Sequence, residues 1–126
     1  MSGNTTPSAA SSAEIDGISH PFVDQERLAI LTDALGEAKV MELFLTARQS
    51  ILESAEELRT GWQTHDNNAV GKSAHRLLGV AANFGCPALA AIAGIIEKSG
   101  KNDDAGTRYQ RQFEEILTAS LTSISF

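Results

Sequence analysis

From Val70 to Phe84 the apolar residues recur every three or four positions, and no other feature constrains the fold of this chain as much. With Leu77 at zero and 100° per residue, Val70, Ala74, Leu77, Ala81 and Phe84 fall within roughly 80° of one another. A stripe of that width is the face a helix turns toward other helices. The opposite side is unlike it. His75 lies about 160° from Leu77, and Asn68, Gly79, Ala82 and Cys86 share its side. The histidine therefore points away from the core, and the turn that follows it is nearly bare of side chain. A glycine inside a helix costs about 0.5–1 kcal/mol relative to alanine. Gly79 is explained either by a tight helix–helix contact beside an ordinary surface histidine, or by room for another group at the imidazole.

The same period organises the rest of the chain. The first helix is expected over about 24–35, with Asp24 as N-cap, a Leu28, Leu31, Leu35 stripe and Gly36 just past its end. The second runs over about 37–60, with Val40, Met41, Phe44, Ile51, Ala55 and Leu58 on one face, Arg48 on its edge and Gly61 ending it. Trp62 has the offset to continue that buried face. The third starts near Asp66 or Asn67, carries His75 and stops at Gly85. Pro87 then opens a fourth helix over about 87–99, with Leu89, Ile92, Ala93 and Ile96 inward, Lys98 in its last turn and Gly100 ending it. Its small residues Ala88, Ala90, Ala91 and Gly94 allow close helix approach. The fifth begins at Asp103 or Asp104 and reaches about Ser123, its apolar side formed by Tyr109, Phe113, Ile116, Leu117 and Leu121. No alternating strand pattern is evident. The expected fold is all-α, an antiparallel four-helix bundle with one additional short N-terminal helix.

Residues 1–19 are rich in Ser, Thr, Ala, Gly and Asn, and such a segment offsets little of its ordering entropy by burial. They read as a disordered tail ahead of one bundle domain over 20–126; a docked helical tail would have to use Ile15 and Ile18. The length of 126 residues suits a single domain. A net charge of −6 disfavours nucleic acid or an anionic membrane surface as partner, because both ask for a basic face. The single cysteine, Cys86, excludes an intrachain disulfide and fits a reducing cytoplasm. No apolar run is long enough to span a membrane, and no signal peptide is evident.

Among candidate chemistries, a metal site lacks ligands. The other histidines, His20 and His65, fall in connecting segments, no His pair stands at i, i+4, and one cysteine cannot found a zinc site. Ser73 and His75 are two residues apart on a helix and face different ways, which removes a serine–histidine couple. His75 remains as a nucleophile in its own right, since a neutral imidazole nitrogen can accept and pass on a phosphoryl group. Lys72 and Arg76 lie within a turn of it, at about 60° and 100° around the helix, either as cations for a phosphate or as an ordinary solvated face.

Ala74-His75-Arg76-Leu77-Leu78-Gly79, then Asn83-Phe84-Gly85-Cys86, then Leu89 and the Ile95-Ile96-Glu97 helix end, resemble the histidine-containing phosphotransfer (HPt) domain. The resemblance extends over about residues 22–124. That family usually carries lysine three residues after the histidine, where this chain has Leu78. The resemblance implies a phosphorelay intermediate of two-component signalling. His75 would carry the phosphoryl group between receiver-domain aspartates, and a face of Leu78, Gly79, Ala82 and Asn83 would dock the partner. The implied partners are a hybrid sensor histidine kinase and response-regulator receiver domains. The catalytic machinery and Mg²⁺ would belong to those partners. The chain itself would be a cytoplasmic, monomeric carrier without cofactor and not an enzyme. Either Lys72 or Arg76 would stand in for the missing lysine, or the phosphorylated form would be less stabilised. The alternative is a non-phosphorylated helical adaptor that binds partners through the same face.

Overall fold

The computed structural model describes residues 11–99 and 103–124. Among these residues two strands, β1 (Ser12–Ile15) and β2 (Ile18–Pro21), precede five helices: α1 (Gln25–Leu35), α2 (Glu37–Gln63), α3 (Asn67–Asn83), α4 (Pro87–Ser99) and α5 (Asp103–Ser123). Local chemistry sets most boundaries. The Asp24 carboxylate accepts the Arg27 N–H at 3.1 Å, and Asp66 accepts the Ala69 N–H at the same distance, so each satisfies a free donor of a first turn. At the end of α3, Cys86 N–H reaches Ala81 O at 2.9 Å while Gly85 takes φ +71°. This is a Schellman turn, and Pro87 then starts α4.

Several expectations about local structure are corrected, the first at the end of α2. Gly61 does not end α2. The helix continues to Gln63, and Gly61 is buried inside it, where an added Cβ would stand 2.9 Å from Val70 Cγ2 and 3.1 Å from Val70 N. The glycine lets α2 and α3 touch. The reversal falls later, at His65 with φ +54°, and Asp66 N–H closes it onto Gly61 O at 2.9 Å.

The second correction concerns the tail and the all-α class. Residues 12–21 form an antiparallel hairpin with Ile15 opposite Ile18. Asp16 and Gly17 occupy its turn at φ +50° and +81°, the backbone of a two-residue turn that matches strand twist. Ile15, Phe22 and Val23 supply the missing burial, each 6% exposed or less, and the strands lie against α4. The Gln112 side chain donates to Glu14 O at 3.1 Å. Ile18 is 60% exposed and does not dock. Residues 1–10 of the expected tail, and Gly100, lie outside the described residues.

The core gathers Val40, Phe44, Ile51 and Leu58 of α2, Val70, Ala74, Leu77 and Ala81 of α3, Leu89, Ile92 and Ile96 of α4, and Phe113, Ile116 and Leu117 of α5. α2 packs on α3, α3 on α4 and α4 on α5. α5 returns to α2 through an edge-on contact of Trp62 and Phe113, centroids 5.7 Å apart, and through Arg59, whose guanidinium meets both oxygens of Glu114 at 2.7 Å. Met41 drops out of the α2 stripe and is exposed. α1 buries no residue fully, and Leu35 is exposed. It is held at its start instead, where Arg27 donates to Asn83 O at 2.9 and 3.2 Å and Asp24 N–H to Gly85 O at 2.8 Å. Cys86 does not share the side of His75. The helix has ended before it, and the thiol is fully buried, which pushes its pKa up to about 11.

Candidate functional site

Burial of Ala74, Leu77 and Ala81 fixes the rotation of α3 and turns His75 outward, with 74% of its side chain exposed. Burial of Leu89, Ile92 and Ile96 does the same for α4 and brings Glu97 to the facing edge. The two side chains meet, His75 Nδ1 lying 2.8 Å from Glu97 Oε2. A carboxylate can only accept, so Nδ1 carries the proton in this contact and the lone pair of a neutral ring is left on Nε2.

Beside them runs an open groove of about 1110 Å³, enough for side chains of a partner as well as water. Its walls come from Asn67, Asn68, Gly71 and Lys72 on α3 and from Glu97 and Lys98 on α4, with His75 at their junction. Lys72 and Lys98 have no ion pair among the described residues.

The expected site residues are distributed unevenly around this groove. Lys72 lines it with His75. Arg76 turns the other way, its Nη1 lying 2.8 Å from Glu57 Oε1 on α2, because α2 supplies the nearest carboxylate on that flank. Leu78 is half-buried against the core, its Cδ2 about 4.0 Å from where a Cβ of Gly94 would stand. Gly79 has open space over it, with nothing within 4 Å of an added Cβ, and Ala82 and Asn83 are exposed. The backbone carbonyl of Asn83 is already taken by Arg27. Sequence reasoning attached no role at the site to Glu97 or Lys98, and gave Lys98 only the place of a cation at a helix C-terminus. Glu97 stood only as the end of a resembling helix, and the pairing spans 22 residues and two helices. No group of three potential metal ligands occurs among the described residues.

The family model of the Hpt domain matches residues 39–123, more than half of the chain and the whole of the groove. The chain belongs to the Hpt domain family. Hpt domains are phosphocarrier modules of two-component signalling, helical bundles and not catalysts. No curated protein and no solved structure matches the chain significantly. The hairpin and α1 precede the matched Hpt span. No helix among the described residues is long and apolar enough to cross a membrane.

Proposed function

We propose that His75 is the phosphoryl acceptor of this Hpt domain and carries the group between receiver-domain aspartates, from a hybrid sensor histidine kinase toward a response regulator. The observation that carries this reading is the His75–Glu97 contact beside an otherwise open imidazole, within the span that matches the family. In the transfer, the Nε2 lone pair attacks phosphorus, an N–P bond forms, and the P–O bond to the donor aspartate breaks. The aspartate leaves as a carboxylate. Nδ1 keeps its proton throughout, so the phosphorylated ring is cationic, and the carboxylate of Glu97 stabilises that charge. The reverse sequence onto a second aspartate returns the ring to neutrality. Glu97 thereby also fixes the tautomer, as partner carboxylates of nucleophilic or metal-binding histidines do.

The rest of the reading concerns context. Short connections of three residues between α2 and α3 and between α3 and α4 support an antiparallel four-helix arrangement of α2–α5. The exposed surface of Gly79, Ala82 and Asn83, bordered by Leu78, is the face on which we propose the receiver docks. We further propose a monomeric cytoplasmic carrier without bound cofactor, with the divalent cation residing on the receiver.

The test is incubation with phosphorylated receiver domains, followed by phosphate transfer to wild-type protein and to His75→Gln. Acid-labile label on the wild type and none on the variant is expected, with melting nearly unchanged because the side chain is exposed. Label that persists in His75→Gln and disappears when His20 or His65 is replaced overturns the assignment. Absence of label on wild-type protein from every donor favours the adaptor.

A further inference from the structure

Phosphorylation of His75 adds a group of about two negative charges to a site whose nearest built-in charge is the carboxylate of Glu97. A nearby cation would offset that charge, and the geometry narrows the choice. Arg76 is occupied by Glu57 at 2.8 Å. Position 78, one turn along the same helix, holds a leucine that packs against the core beside Gly94. Among the described residues, two ammonium groups remain at the groove, and they stand on opposite walls: Lys72 on α3, one turn before His75, and Lys98 on α4, next to Glu97. Both are exposed and neither has an ion pair among the described residues, so neither would give up a partner to meet a phosphate.

We propose that Lys98, reaching from the last turn of α4, closes with Lys72 over the phosphoryl group on His75. The positive charge that the family draws from His75's own helix is here drawn in part from the neighbouring one. This rests on the assignment of His75 as acceptor. In this arrangement α4 contributes both halves of the electrostatic environment. Glu97 faces the cationic ring at Nδ1, and Lys98 faces the anion attached to Nε2. An ordinary role for Lys98, a cation at a helix C-terminus, leaves the phosphoryl group untouched, which is what the experiment separates.

The protein is phosphorylated with potassium phosphoramidate, a small donor that needs no partner, and followed by ³¹P NMR. The wild type is compared with Lys98→Gln, Lys98→Arg, Lys72→Gln and the double glutamine variant. Lys98→Gln is expected to shorten the lifetime of phospho-His75 by roughly two- to fivefold at low salt, the range of an exposed ion pair. It should also raise the pH at which the phosphoryl resonance titrates. Lys98→Arg should restore both, the double variant should exceed either single one, and the differences should shrink as salt is added. A structural role for Lys98 would lower melting without moving the titration. A phosphoryl titration and lifetime that are the same in Lys98→Gln as in the wild type overturn the clamp and leave His75 standing as acceptor. If the wild type takes no phosphate on His75, the acceptor assignment falls and the clamp with it.

Discussion

Between His75 Nδ1 and Glu97 Oε2 there are 2.8 Å, and under the proposed function the contact bears on reactivity more than on stability. His75 is mostly exposed, so the pair is solvent-screened and adds little to folding. In the transfer we propose, its effect grows when the ring becomes cationic. Glu97→Gln keeps an acceptor and removes the charge, so phosphoryl uptake should slow by roughly three- to tenfold, with stability changed by less than about 0.5 kcal/mol. Transfer kinetics beside a thermal melt check both halves. Leu78 gives the complementary case. It is half-buried at a position where a lysine's aliphatic stem could follow the same surface and its ammonium reach water. Leu78→Lys is therefore expected to cost about 1 kcal/mol, well short of a charge forced inward, and to lengthen the life of phospho-His75. A loss of several kcal/mol would mean that Leu78 is fully a core residue.

At the scale of elements, two glycines in neighbouring helices make opposite predictions for one substitution. Gly79→Ala places a methyl in open space and gains helix propensity, so stability should rise by a few tenths to about 1 kcal/mol. Gly61→Ala pushes a methyl to 2.9 Å from Val70 Cγ2 and against the α3 backbone, and should cost about 1–3 kcal/mol. Denaturant melts of the two variants decide it. The helices were legible because their signals are local: Asp24, Asp66, Gly36, Gly85 and Pro87 stand where caps and stops belong. Gly61 misled because a stop and a close helix contact use the same residue, and only the neighbour's position tells them apart. The hairpin was missed although Ile15-Asp16-Gly17-Ile18 carries a recognised turn signal. The Ser- and Ala-rich surroundings hid it, and the burial that secures it comes from helices far along the chain. The side on which His75 points follows from the period of one helix. That it meets Glu97 depends on the rotation of a second helix against the first, which no single period contains.

For the molecule as a whole, the return of α5 to α2 depends on charge as well as on apolar packing. The Arg59 guanidinium, hydrogen-bonded to both oxygens of Glu114, holds that carboxyl below its ordinary 4.5. The folded state thus gives up the Glu114 charge at a lower pH than the unfolded chain does. The stabilisation is complete above the unfolded value and is lost as pH falls from there through the folded one. With 44% of the Glu114 side chain exposed, it amounts to no more than about 1 kcal/mol after screening. Arg59→Met should accordingly be less stable than wild type above pH 5, and the gap should narrow as pH falls below the ordinary carboxylate value; melts across that fall measure it. The hairpin ties distant parts together in another way. Glu14 accepts its hydrogen bond from Gln112, 98 residues further on, and Ile15 packs in the core that the later helices complete. At about 5–20 residues per second on the ribosome, the strands wait on the order of 5 to 20 s for that side chain to be made. Ile15, Phe22 and Val23 cannot be covered before α4, the helix the strands lie against, has been made, so the segment made first among those described depends for its burial on elements made later.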